Sequence, residues 1–253
     1  MTRAAVLSPT RILILGATSS MAIATARRLA ARGATLFLVA RTDSKLQAVA
    51  CDLMTRGAAH VTTYVLDLDH TASHPQMLAA ASDAMGGIDL ALIAHGVLGD
   101  QEAAQENYSV AEAILVTNFL SAVSLCTWLG NYFEARGEGV LAVISSVAGD
   151  RGRKSNYVYG ASKGALNIFL DGLRNRVDRH GVHILTIRPG FVATPMTAHL
   201  PQNALFADPN TIADGILKAV ATRKDNVYLP PIWALIMLLV RNIPQSVFKK
   251  MNM

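Results

Sequence analysis

The sequence predicts an α/β fold, a single-domain doubly wound parallel sheet of the Rossmann type with helices on both faces. Two observations carry this. Short apolar runs alternate along the chain with longer segments whose apolar residues recur at three- and four-residue spacing. The runs are almost continuously apolar, as parallel strands must be when helices cover both faces of their sheet. No repeat of fixed period and no low-complexity tract interrupts the alternation, which sets solenoids and propellers aside.

Taken in order, the first strand is 11–15, and a turn of small residues leads into an Ala-rich helix over 20–32. Strand 35–40 is followed by helix 44–56, strand 61–66 by helix 75–85, and strand 90–94 by a long helix over 110–135. Strand 140–145 precedes a helix over 159–179, strand 182–187 precedes one over 210–222, and 227–229 closes the sheet. In a doubly wound sheet ligands bind beyond the carboxyl ends of the strands, so the residues just after each strand are the candidates for chemistry.

Composition agrees with a folded domain: 253 residues, 51% hydrophobic and 16% charged, exclude disorder. No Pro/Gly/Ser-rich linker divides the chain, so residues 1–229 are expected as one domain, with an apolar and basic tail over 230–253. A net charge of +5 suits anionic partners, whether phosphorylated cofactor, lipid or nucleic acid, but no nucleic-acid-binding motif accompanies it. Cys51 and Cys126 sit in apolar helical segments and are expected as buried thiols, with no disulfide or metal role. The N-terminal stretch after Arg3 is broken by Ser8, Pro9 and Arg11 and does not look like a signal peptide. The longest apolar run, 232–240, is well short of the ~20 residues that span a bilayer, so the expected location is cytoplasmic.

After the first strand comes Gly16-Ala17-Thr18-Ser19-Ser20-Met21-Ala22. Small side chains let a pyrophosphate approach backbone N–H groups at a helix N-terminus, which bulky ones would block. The second strand ends Ala40-Arg41-Thr42, roughly two dozen residues after Gly16, where an NAD-binding unit places an acid on the ribose 2′-hydroxyl. Arg41 stands there instead and suits a 2′-phosphate, so NADP(H) is expected over NAD(H). Asp67, with Leu68 after it, is placed to meet the adenine amino group.

Tyr159-Gly160-Ala161-Ser162-Lys163 opens a helix, and the four-residue offset sets phenol and ammonium on one face about a turn apart. A neighbouring cation that lowers the tyrosine pKa would let the phenol exchange a proton with substrate near neutral pH. Ser146, in Ser145-Ser146-Val147-Ala148-Gly149 after the fifth strand, offers a hydroxyl to a carbonyl oxygen. Together with Arg188-Pro189-Gly190 after the sixth strand, these motifs resemble the short-chain dehydrogenase/reductase family over nearly the whole chain, to about residue 229.

That resemblance implies an oxidoreductase in which Tyr159 is the general acid/base and Ser146 orients the substrate oxygen. Lys163 would lower the tyrosine pKa and hold the nicotinamide ribose. Asn118, in Val116-Thr117-Asn118-Phe119, matches the helix asparagine that supports the lysine through water. Gly16, Thr18, Ser19, Ser20, Met21, Arg41, Asp67, Leu68 and Gly96 would bind cofactor, with Tyr159, Lys163, Pro189, Gly190, Val192 and Thr194. Tyr157 and Ser145 duplicate the catalytic types off the spacing and receive no catalytic role. Two of the three family glycines are replaced by Ser20 and Ala22, and the family's NNAG stretch reads Ile93-Ala94-His95-Gly96, where His95 is expected as a structural histidine.

Further stretches resemble, within that family, the reductase that completes epimerisation of decaprenylphosphoryl ribose to arabinose: 73–75 with Met77, 96–100, 198–200 including His199, and 243–250. This implies reduction of a lipid-linked 2-keto-pentose. The tail bears on the same question independently. Trp233 stands near one end of its apolar run, with Arg241, Lys249 and Lys250 beyond the other, a pattern that suits a peripheral membrane contact through 232–250 at the inner face of the cell membrane. A helix packed on the domain or buried in a homodimer or homotetramer is the alternative. Rival functions are a reductase of a soluble ketone or 3-ketoacyl substrate, for which the apolar 200–206 loop could line a pocket, and a nonenzymatic NADPH-binding regulator.

Overall fold

A computed structural model describes residues 10–198 and 200–251; Arg3, Ser8, Pro9 and His199 lie outside the described residues. Seven parallel strands form one sheet in the order β3-β2-β1-β4-β5-β6-β7. They are β1 (Arg11–Leu15), β2 (Thr35–Ala40), β3 (His60–Val65), β4 (Leu90–Ile93), β5 (Gly139–Ile144), β6 (Val182–Pro189) and β7 (Asn226–Leu229). The doubly wound expectation holds. The direction of winding reverses between β1 and β4, where Ile12 pairs with Leu36 on one side and Leu90 on the other.

Alternation along each strand builds two cores. Ile12 and Ile14 face one layer, with α1 (Ser20–Ala30), α2 (Asp43–Thr55) and α8 (Pro209–Ala221) packed on them through residues such as Leu29, Leu53 and Ile216. Leu13 and Leu15 face the other, covered by α3 (His74–Met85), α6 (Ser121–Arg136) and α7 (Tyr157–Val177) through Leu78, Phe133 and Leu170. Strands buried on both sides in this way gain apolar burial twice, which is why they read as continuous hydrophobic runs.

The long helix expected over 110–135 is in fact composite. After a short α4 (Gln101–Glu106), α5 (Tyr108–Leu115) passes through a π-helical turn, Val116–Leu120, before α6. Asn118 sits in that turn and is buried. Widened turns of this kind commonly mark functional positions. The continuous stretch Tyr108–Arg136 is long and apolar enough to cross a membrane by length and composition, with a mean hydropathy of 1.6 over its most apolar window. Here, however, Leu125, Leu129 and Phe133 are fully buried in the core. Cys126 is buried as expected, but Cys51 is exposed. The inner face of α2 is Leu46, Val49, Ala50 and Leu53, and position 51 falls outside that stripe.

The tail forms α9 (Ile232–Asn242) and α10 (Gln245–Phe248). The inner side of α9 buries Trp233 and Met237 against Val147, joined by Phe191 and Tyr228. Arg151, in the loop after β5, ties down the helix end: its Nη1 donates to Val240 O at 2.6 Å and Ile243 O at 2.7 Å, and its guanidinium lies 3.7 Å from the Phe248 ring centroid. The outer side leaves Ile232, Leu235, Leu238 and Leu239 half or more exposed.

Candidate active site

A cleft of about 1040 Å³ opens beyond the carboxyl ends of the strands, over the point where the winding reverses. It is large enough for a dinucleotide and a second molecule. Every residue expected to bind cofactor lines it, as do Ser146, Tyr159 and Lys163. Asn118 does not.

The β1–α1 turn is built for close approach. Gly16 has φ of +83°, and a Cβ there would lie 2.6 Å from the backbone nitrogen of His95. Gly16 and Ala17 both donate their N–H groups to Val39 O at 2.9 Å, which fixes the turn against β2. Ser19 precedes α1 with extended backbone and makes no side-chain cap bond. Ser19, Ser20 and Met21 line the cleft at this helix N-terminus, whose first N–H groups have no intrahelical partners, the arrangement that receives phosphate. Ser20 and Ala22 stand where the family has glycine, and Ala22 is fully buried, so its methyl group packs into the core.

Arg41 leaves β2 with its side chain 65% exposed and its Nη1 3.9 Å from Asp67 Oδ2. Asp43, two residues on, is engaged by Gln47 Nε2 at 3.1 Å. Asp67 Oδ1 accepts from the N–H of Asp69 at 3.1 Å, and the Leu68 carbonyl accepts from Ser121 Oγ at 2.6 Å. At the other end, Pro189 closes β6 and Gly190 follows it, Val192 bridges to Ala207, and Thr194 opens the short turn Pro195–Thr197.

Between these ends stand the reactive side chains. Ser146 follows β5 in extended conformation, and its Oγ accepts from Ala148 N at 3.1 Å. Tyr159 lies in the first turn of α7, facing Ser146; burial pushes its phenol above the ordinary value, against the Ser146 hydroxyl and the Arg153 charge, which pull it down. Among the described residues no hydrogen bond of ordinary length joins the two hydroxyls. Lys163, one turn along α7, donates from Nζ to Ile144 O at 3.1 Å, and burial lowers its pKa to about 8. Its Nζ is 6.0 Å from the Tyr159 ring centroid. The Lys163 ammonium is directed at the end of β5, while the groups that pull the phenol down are the Ser146 hydroxyl and the Arg153 charge.

Asn118 acts one layer back. Its Oδ1 accepts from Val97 N and its Nδ2 donates to Val97 O, each at 2.8 Å, so both amide groups clamp the loop after β4. A Cβ on Gly96 would lie 2.8 Å from Asn118 Oδ1 and 3.5 Å from Lys163 Nζ, so asparagine and lysine converge on that glycine. His95 lines the cleft. Burial, then the nearby charges of Lys163 and His74, hold it neutral, with a pKa down at about 3, and its Nε2 pairs with Ser121 Oγ at 3.0 Å. Of the duplicates, Ser145 is tied to Asn167 Oδ1 at 2.7 Å in the core, and Tyr157 is exposed.

Gln101, Arg153 and Asn156 are among the lining residues that give no signal in the sequence. Arg153 stands in Asp150-Arg151-Gly152-Arg153-Lys154, which reads as a solvated charge run. Leu200 also lines the cleft, and Phe206 stacks on Phe191 with ring centroids 5.2 Å apart.

Comparison with known proteins agrees with this geometry. Residues 10–205 match the short chain dehydrogenase family. An uncharacterized oxidoreductase of Mycobacterium tuberculosis is 38% identical over 242 residues, 95% of this chain and 96% of that protein. An uncharacterized oxidoreductase of Streptomyces coelicolor is 34% identical over 244 residues, 96% of each chain. The ketoacyl reductase HetN of Nostoc sp. is 30% identical over 223 residues, 85% of this chain and 77% of that one. In fold the chain resembles the crystal structure of levodione reductase, with a TM-score of 0.81 at 23% identity, over 88% of this chain and 97% of the other. With a family match spanning most of the chain and a cleft built in the family's manner, the protein belongs to the short chain dehydrogenase family of oxidoreductases.

Proposed function

We propose that the protein is an NADP(H)-dependent reductase that converts a ketone to a secondary alcohol, with a polyprenyl-phosphoryl 2-keto-pentose as its substrate. The observation that carries the reaction is the convergence of Ser146, Tyr159 and Lys163 in one cleft beside a turn suited to a dinucleotide pyrophosphate. The bound dinucleotide supplies the hydride that adds to the carbonyl carbon. Tyr159 holds the proton that goes to the oxygen. Its raised pKa keeps the phenol protonated at neutral pH, the state needed for reduction, while the Arg153 charge stabilises the phenolate left behind. Ser146 Oγ would donate to the same oxygen, and Lys163 would hold the ribose hydroxyls of the bound cofactor. Arg41 would pair with the 2′-phosphate, and the cell's NADPH pool drives the reaction toward alcohol.

The lipid-linked substrate is supported by the motif resemblance and by the tail. The face of α9 opposite Trp233 is apolar and exposed, and Arg241, Lys249 and Lys250 stand at its end, which suits an anionic bilayer surface. On this reading the protein works in the cytoplasm, peripheral to the inner face of the cell membrane. A homodimer or homotetramer is part of this reading, and the exposed Ile168 on α7 is compatible with a subunit contact there. The name of the Nostoc relative favours a second reading, reduction of a 3-ketoacyl or other soluble ketone.

The test is NADPH oxidation by purified protein in mild detergent, with a polyprenyl-phosphoryl 2-keto-pentose, soluble ketones and 3-ketoacyl thioesters in parallel. Turnover confined to the lipid-linked sugar supports the proposal. Turnover only on the soluble panel moves the assignment to the second reading.

A further inference from the structure

The cleft holds a cation that the protein itself does not pair. Arg153 lines the same wall as Ser146 and Tyr159, and its Nε is buried without a hydrogen-bond partner. Among the described residues its guanidinium forms no hydrogen bond or ion pair. Asp150 is the carboxylate close enough to act on it, and Asp150 is committed elsewhere: Oδ1 accepts from Arg188 Nη1 at 3.1 Å and Oδ2 from Tyr228 Oη at 2.7 Å. Glu102, on the cleft rim, is exposed and does not reach it.

Two further groups on this wall are also left open. Gln101 is oriented by its Oε1, which accepts from Val158 N at 3.0 Å, and its Nε2 is buried with no partner. Asn156 Oδ1 is buried with none. Buried polar groups are nearly always paired, so the buried Nε, Nε2 and Oδ1 left open here call for partners. Open donors and an open acceptor in one cleft describe the complement of a ligand rather than a finished wall.

We infer that Arg153 is the anion-binding residue of the substrate subsite: it pairs with a phosphoryl or carboxylate oxygen of the ketone, with Gln101 Nε2 as a second donor and Asn156 Oδ1 accepting from a substrate hydroxyl. The inference rests on the reading of the cleft as a carbonyl-reducing site and adds the chemistry of the substrate's other end, an oxyanion next to a hydroxyl. A guanidinium suits such a group because its planar fork makes two parallel charge-assisted bonds. A wholly apolar acyl chain would leave all three groups unpaired.

The experiment measures binding separately from turnover. Protein saturated with NADPH is titrated calorimetrically with ribose 1-phosphate, its uncharged counterpart methyl riboside, a 2-keto acid and the methyl ester of that acid. Wild type, Arg153→Ala and Arg153→Lys are compared, with NADPH affinity as the check on folding. The expected result is that wild type prefers an anionic ligand over its neutral partner at least tenfold, that Arg153→Ala loses most of that preference, and that Arg153→Lys keeps part of it. The two anionic arms separate phosphoryl from carboxylate recognition. An unchanged preference in Arg153→Ala, or equal losses for charged and neutral ligands, overturns the inference. If Arg153→Ala no longer binds NADPH, the comparison is made with Arg153→Lys, whose wild-type preference would overturn it equally. Charge-selective binding without reduction of any ketone would leave the subsite standing and remove the reductase reading.

Discussion

The indole of Trp233 lies directly on Gly190: a Cβ added at residue 190 would fall 1.9 Å from the indole ring. The first helix of the C-terminal tail is thereby seated on the strand end that lines the cofactor end of the cleft. Gly190→Ala is expected to displace α9 and to destabilise the protein by roughly 1–3 kcal/mol, the usual cost of overpacking. Urea denaturation measures the loss, and NADPH titration should show weaker binding in parallel. An unchanged midpoint would mean the helix is not held at this contact.

Tyr159→Phe keeps the ring and removes the proton. Turnover should fall by roughly 10²–10⁴-fold, the range for a lost general acid, while NADPH still binds. Steady-state kinetics beside fluorescence titration separates the two. Full retained turnover would exclude Tyr159 as the proton donor.

Lys163 gives stability a particular pH dependence. Its ammonium titrates at about 8 in the fold against 10.5 in the unfolded chain, because burial penalises the charged form. Between those values the unfolded chain binds more protons, so this residue's contribution to stability rises with pH; below about 8 it is flat at its least favourable. From pH 7 to 10.5 wild type should gain on the order of 3 kcal/mol relative to Lys163→Met. Denaturation curves for both across that range test it, and parallel pH profiles would show that the lysine is not buried.

Arg41→Ala should weaken NADPH binding about ten- to a hundredfold while leaving NADH nearly unaffected, since only the 2′-phosphate is lost to it. Dissociation constants for both cofactors decide the matter. Equal effects would assign Arg41 to the Asp67 pair alone.

For the tail, the protein should sediment with phosphatidylglycerol vesicles, less so in high salt, and a Leu235→Glu/Leu239→Glu variant should remain in the supernatant. If wild type does not bind vesicles and the variant lowers the oligomeric mass instead, α9 is a subunit contact.

The sequence by itself determined the layered α/β sheet and the residues that follow its strands, because both are written in local terms. Apolar runs and helical spacing depend on neighbours a few positions apart, as do the small residues from Gly16 to Ala22 and the offset from Tyr159 to Lys163. What only the tertiary structure decided is how distant groups pair. Asn118 spends its amide on Val97 because a π-helical turn aims it there, and Lys163 reaches for Ile144 rather than the phenol. Arg153 is left open because Arg188 and Tyr228, from strands later in the chain, take Asp150 first. Hydrogen-bond partners and burial are set by contacts between segments far apart in sequence, and no local pattern records them.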